Sequence, residues 1–69
     1  MYARTLRKAH DIRRFTIHQA GPTGWEIRDE QNDAVLRHVR YTDWHRVERA
    51  QRAFQCEAAT LHAAGWTDD

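Results

Sequence analysis

Apolar and polar residues alternate in three stretches of the chain: residues 12–19, from Phe15 onward, residues 25–30 and residues 35–41. Such alternation places every second side chain on the same side of the backbone, which is typical of a half-buried strand. In the third stretch the alternation slips, and a bulge near residues 36–38 would restore it. Two runs of typical turn residues separate the strands, Gly21-Pro22-Thr23-Gly24 and Gln31-Asn32-Asp33. The pattern therefore predicts a three-stranded antiparallel meander.

After the strands, the apolar residues follow the spacing of a helix. From Trp44 to Leu61 they recur every three or four positions, which predicts one amphipathic helix. Thr42 is the predicted N-cap, because its hydroxyl can accept a hydrogen bond from an amide of the first turn. Gly65 is predicted to end the helix in the left-handed conformation, with Trp66 packing back onto the last turn.

Together these elements predict an α+β fold, a three-stranded antiparallel β-meander packed on one C-terminal α-helix (βββα). A single domain is expected over residues 11–66, preceded by a basic, disordered N-terminal arm at residues 1–10 and followed by a solvated tail at residues 67–69. The predicted core consists of Phe15, Ile17, Trp25, Ile27, Val39, Tyr41, Trp44, Val47, Phe54, Leu61 and Trp66.

The charge is nearly balanced overall but not locally. The 69 residues carry eleven basic and ten acidic side chains, a net charge of +1. Counted in blocks, residues 1–14 carry +4, residues 15–34 carry −3, residues 35–52 carry +3 and residues 53–69 carry −3. Two interpretations remain open: oppositely charged elements pair with each other, or one basic face meets an anionic partner.

Several function classes are not indicated by the sequence. We find no metal-ligand spacing, Gly-rich phosphate loop or nucleophile motif, and a chain of this size has little room for a pocket. We therefore expect no catalytic residues, no metal, no cofactor and no small-molecule substrate. No apolar run approaches the roughly 20 residues that span a membrane, and the single cysteine fits a reducing compartment. A bacterial cytoplasmic location is the expectation.

Two resemblances follow from short motifs. The run 24–30 (GWEIRDE), the run 41–50 (YTDWHRVERA) and the closing Gly65-Trp66 resemble, over about residues 12–66, a group of short uncharacterised bacterial proteins, which implies no function. Residues 25–29 and 41–43 are more faintly similar to AP2 and integrase-type DNA-binding domains. In that family three strands precede a helix, and the sheet face opposite the helix enters the major groove. Here that face is expected to carry Glu26 and Glu30.

Nucleic-acid binding is the first functional hypothesis. The outer sheet face and the basic arm would supply the contacts, because arginine forks onto phosphates and guanine edges. A pI near 8.0 is below the value above 9 typical of such domains, and two glutamates on the sheet would repel phosphate. The contact residues predicted by this hypothesis are Arg4, Arg7, Lys8, Arg14, Arg28 and Arg40.

A protein-interaction module is the hypothesis that we favour. A lone three-stranded sheet leaves two open edges, which recruit partner strands, and a small core gains from added burial in a homodimer. The partner is therefore expected to be another protein or a second copy of the chain. The predicted contacts are Leu36 on the sheet and Arg49, Arg52 and Cys56 on the helix.

Overall fold

The chain forms one antiparallel sheet covered by one helix in the computed structural model, which describes residues 1–69. The elements are β1 (Tyr2–Lys8), β2 (Asp11–Ala20), β3 (Gly24–Gln31), β4 (Ala34–Tyr41), α1 (Trp44–Ala63) and β5 (Thr67–Asp68). The strand order is β4-β3-β2-β1-β5. The α+β class and the C-terminal helix are confirmed, but the predicted strand number is wrong, because the sheet has five strands rather than three.

The additional strands come from the two chain ends. The segment expected to be a disordered arm forms β1, which pairs with β2 from Tyr2 opposite Ile17 to Lys8 opposite Asp11. Leu6, in this strand, is completely buried. The tail is exposed as expected, yet Thr67 and Asp68 pair with β1 as β5. Burial of Leu6, pairing of the strand with β2 and pairing of Leu6 and Arg7 with β5 explain why Tyr2–Lys8 form a strand.

The hairpin between β3 and β4 follows the sequence prediction. Asn32 and Asp33 have φ angles of 52° and 68°, as a two-residue type I′ turn requires, and both residue types tolerate this conformation. The Asn32 side chain also accepts a hydrogen bond from the Ile12 amide at 2.8 Å. The turn is thereby fixed to the beginning of β2.

The predicted bulge is present in β4. Arg37 pairs with Asp29 and Val35 with Glu30, which leaves Leu36 without a partner on β3. Residues directly opposite each other share a sheet face. Arg37 therefore lies on the helix side of the sheet with Val39 and Tyr41, and the extra residue puts Val35 on the outer side with Glu30.

The helix ends as predicted but begins one residue later than expected. Asp43, not Thr42, is the N-cap, and its carboxylate accepts a hydrogen bond from the His45 amide at 3.0 Å. At the other end Gly65 has φ 100°, and the Trp66 amide donates to the Leu61 carbonyl at 3.0 Å, as in a Schellman ending.

The core lies between the helix and the four long strands. Every predicted core residue except Trp44 is buried or packs against the buried cluster, and Leu6 joins it unpredicted. The prediction that Trp44 belongs to the core is wrong. Trp44 is the first residue of α1 and stays 46% exposed, and its ring centre lies 4.9 Å from that of Trp25. The buried apolar residues are Leu6, Phe15, Ile17, Ile27, Val47, Phe54 and Ala58.

The single helix, α1, does not have the length and apolar character that crossing a membrane requires.

Candidate functional site

The two edges of the sheet differ in how much of their backbone is paired. At the β1 edge Leu6 and Arg7 pair with β5, and side-chain ion pairs hold the chain end there: Arg4 with Asp68 at 3.0 Å and Arg7 with Asp69 at 3.2 Å. At the other edge β4 pairs with β3 on one side only, over its whole length. The longer open edge of the sheet is therefore that of β4.

The basic arm of the nucleic-acid hypothesis is occupied by contacts within the chain. Arg4 also lies 2.8 Å from a ring nitrogen of His62, and Lys8 donates to the Ala64 carbonyl at 2.7 Å. The hydrogen bond from Arg4 lowers the pKa of Asp68 and raises the pKa of Arg4 itself. The positive first block and the negative last block thus pair with each other, the first of the two interpretations of the charge pattern.

The three arginines predicted on the outer sheet face have separate surroundings. Arg28 lies 3.9 Å from Glu30. Arg40 donates to the Ala20 carbonyl at 3.1 Å and covers Gly24, where a Cβ would lie 2.5 Å from Nη2 of Arg40. Arg14 is exposed and has no ion pair. Of the three, only Arg14 therefore has neither an ion pair nor a side-chain hydrogen bond, and the carboxylates of Glu26 and Glu30 lie on the same face.

Glu26 joins two histidines on the same outer face. One oxygen of its carboxylate lies 3.1 Å from Nε2 of His18, and the other lies 3.7 Å from Nε2 of His38. Nowhere in the chain do three or more His, Cys, Asp or Glu side chains form a group that could hold a metal ion. These contacts fill the centre of the outer face with cross-strand pairs.

A groove lies beside the open edge, between β4 and the exposed side of α1. Its volume is about 390 Å³. Ala50 and Ala53 of α1 leave room between the helix and the strand because their side chains are short. The groove is lined by Arg37, Tyr41, Arg46, Arg49, Ala50 and Ala53.

The groove is positively charged without compensation. Arg37, Arg46 and Arg49 form no ion pair within 4.0 Å, whereas Arg4, Arg7, Arg13, Arg28 and Arg52 each have an acidic partner. Asp29 lies opposite Arg37 in the sheet, but both of its oxygens accept hydrogen bonds from Arg13 at 2.8 Å. The guanidinium of Arg46 lies 5.9 Å from the centre of the Tyr41 ring, within cation–π range.

A second hollow adjoins the first and shares two of its walls. Arg46 and Tyr41 line both, and the second hollow, about 440 Å³ in volume, continues toward the connection between β4 and α1. Its one carboxylate belongs to Asp43, which caps the helix. The two hollows together flank β4 from Arg37 to its end.

The four residues predicted for protein contact do not form one surface. Leu36 is 54% exposed on the open edge, and Arg49 lines the groove. Arg52 instead lies 3.8 Å from Glu48 on a different part of the helix, and Cys56 is an exposed free thiol. Only Leu36 and Arg49 thus lie at the same edge.

Sequence reasoning missed Arg37, Arg46 and Tyr41 as site residues. The signal available was the charge block of +3 over residues 35–52 and the spacing of Arg46 and Arg49, which are neighbours on one helix face. Alternation alone puts Arg37 on the strand face of Val39 and Tyr41. What could not be read from the sequence was that Arg46 and Arg49 of the helix line one groove with it.

No family model matches the chain, and comparison with curated proteins and with solved structures finds no matching protein. The resemblances to short bacterial proteins and to AP2 and integrase-type domains therefore stay predictions.

Proposed function

We propose that this chain is a non-enzymatic protein-interaction module that binds a partner segment at the open edge of β4. The observation that carries the proposal is the asymmetry of the sheet: β5 covers Leu6 and Arg7 of β1, whereas no residue of β4 has a partner on its outer side. Free strand edges bind extended segments through main-chain hydrogen bonds.

The exposed apolar side chains support the same location. Val35 and Leu36 are 53% and 54% exposed, and both belong to β4. Apart from the N-terminal methionine, Trp44 is the one other large apolar residue with comparable exposure, and it follows β4 by three residues. Exposed apolar groups grouped at one edge are typical of a contact surface.

Self-association through β4 is the less favoured form of the proposal. Antiparallel pairing of β4 with the centre of the same strand of a second copy would bring Arg37 close to the other Arg37 on the helix side and Arg40 close to the other Arg40 on the outer side. Like charges in neighbouring positions of paired strands are destabilising. The homodimer therefore stays a prediction, and a different protein is the preferred partner.

A peptide-display selection on the immobilised chain tests the proposal. Selected peptides are titrated into isotope-labelled protein, and we expect amide shifts to concentrate in residues 34–41. The double variant Val35→Ser/Leu36→Ser should weaken binding, and Ala59→Ser/Ala63→Ser, on exposed helix positions, should not. Binding that maps to another surface, or that ignores both β4 substitutions, contradicts the proposal.

A further inference from the structure

We infer that the segment bound at β4 is an extended acidic peptide with a carboxylate at every second position, which adds to the sheet as a strand and places those carboxylates in the arginine groove. The inference rests on the proposed function, because it specifies the partner chemistry of the same edge.

The charge of the groove selects for an acidic partner. Three guanidinium groups, those of Arg37, Arg46 and Arg49, line a groove to which no carboxylate contributes. Each guanidinium can bind a carboxylate through two parallel hydrogen bonds. A neutral segment would leave these groups without partners and would gain nothing from their proximity.

The position of the groove relative to the edge explains the alternation. A strand that pairs with β4 continues the sheet, and every second side chain then points to the side that α1 covers. Arg37 is on that side because it alternates regularly with Val39 and Tyr41, and Arg46 and Arg49 line the same groove from α1. Carboxylates on alternate positions therefore face the arginines together, whereas the intervening side chains face outward.

The same features favour a peptide over a nucleic acid. An open strand edge offers amides and carbonyls in the repeat of a peptide backbone, which a sugar-phosphate chain does not match. A nucleic acid would also need a longer basic track. Here the arm arginines are paired with the acidic tail, and Glu26 and Glu30 occupy the outer face.

The test uses a synthetic peptide of alternating Glu and Thr, about ten residues long, as a strand of usual length. Affinity is measured by calorimetry at low salt against three comparison ligands. The first replaces every Glu by Gln, the second has the same composition with all Glu in one block, and the third is oligo(dT). We expect the alternating peptide to bind at least about tenfold more tightly than each of them.

Matched variants locate the binding in the groove. Arg46→Gln/Arg49→Gln should weaken the alternating peptide about tenfold or more, whereas Arg14→Gln/Arg52→Gln, which removes the same charge elsewhere, should change affinity by less than about twofold. Ala53→Met fills the groove without altering charge and should also weaken binding, with Ala59→Met as its control. Thermal melts of each variant confirm that the fold is retained.

The outcomes separate this inference from the proposed function. Equal binding of the Gln peptide at β4 overturns the acidic partner but leaves the interaction module. If the block peptide binds with the same affinity as the alternating peptide, the inference that alternate side chains of an added strand face the groove is wrong. Tighter binding of oligo(dT) that depends on Arg46 and Arg49 overturns the inference in favour of a nucleic acid. If neither the peptides nor the display selection yields a ligand at β4, both proposals are wrong.

Discussion

Arg13 binds the carboxylate of Asp29 through two hydrogen bonds, both 2.8 Å long, across neighbouring strands on the helix side of the sheet. Both side chains are almost enclosed, 12% and 10% exposed. The guanidinium also reaches Glu57 of α1 at 2.8 Å and lies 5.1 Å from the centre of the Phe15 ring. The hydrogen bond to Asp29 raises the pKa of Arg13.

Arg13→Ala should lower the free energy of unfolding by about 3 kcal/mol, because it leaves the Asp29 carboxylate enclosed without its partner. The double variant Arg13→Met/Asp29→Leu should cost much less, since apolar groups of similar volume replace both charges. Urea denaturation of Arg13→Met, Asp29→Leu and the double variant measures the coupling. A double variant as unstable as Arg13→Ala would show that the loss comes from packing rather than from the unpaired charge.

Phe54→Ala should lower the free energy of unfolding by about 3–5 kcal/mol. Phe54 is 4% exposed, and its ring lies 4.9 Å from that of Phe15 and 6.3 Å from that of Tyr2. Trp44→Ala is the matched control and should cost less than half as much, because its ring is already half exposed. Thermal melting distinguishes the two, and an unchanged melting temperature in Phe54→Ala would contradict the orientation assigned to α1.

Gly65→Val should destabilise the chain by about 1–2 kcal/mol, because a β-branched residue is strained at φ 100°. A Cβ at this position meets only the Lys8 side chain, at 3.6 Å, so the cost arises from the backbone. Ala59→Val, within the helix, should cost about 0.5 kcal/mol. Equal losses in the two variants, measured by urea denaturation, would argue against the left-handed helix ending.

The ion pair between Arg4 and Asp68 should make stability depend on acid pH. The hydrogen bond from Arg4 holds the pKa of Asp68 below its ordinary value of 3.8. Its contribution is therefore present above pH 4 and is lost as the pH falls through the lowered pKa of the folded state. Unfolding measured from pH 5 downward should show a shallower loss of stability in Asp68→Asn.

Asp33→Asn is the control for that experiment, because Asp33 is an exposed turn residue outside every ion pair. The free energy of unfolding of Asp33→Asn should fall with decreasing pH just as that of the parent chain does. If Asp68→Asn lost stability with falling pH just as the parent chain does, the ion pair between Arg4 and Asp68 would contribute nothing to the stability of the folded state.

The middle of the chain could be predicted from the sequence because its signals are local. Alternation places Phe15, Ile17 and Ile27 in the core, and the Asn32-Asp33 turn and Gly65 fix their own backbone conformations. The bulge in β4 was predicted from a slip in the same alternation, but it moves Val35 to the outer face and leaves Arg37 on the helix side, so the expected restoration of the pattern is wrong.

The ends of the chain could not be predicted in the same way. In β1 the inward-facing positions are Tyr2, Arg4 and Leu6, so a charged residue interrupts the apolar pattern. Arg4 is accommodated there because its guanidinium donates a hydrogen bond to Asp68 and lies beside His62, both about sixty positions away in the sequence. A strand whose pairing depends on a distant residue gives a weak local signal.

The arginine groove could not be predicted for the same reason, because its residues come from separate parts of the sequence. Arg46 and Arg49 are neighbours on the helix, but Arg37 joins them only through the fold. The predicted nucleic-acid contacts Arg4 and Arg7 were assigned from charge alone, and charge alone did not reveal their acidic partners in the tail.

Amide hydrogen exchange of residues 34–41, with and without the alternating Glu-Thr peptide, tests the central claim most directly. Pairing of a peptide strand with the open edge should slow the exchange of those β4 amides that point away from β3, and should leave β1 and β2 unchanged. Unchanged exchange throughout β4 at saturating peptide would contradict the account, because the peptide would then bind without adding to the sheet.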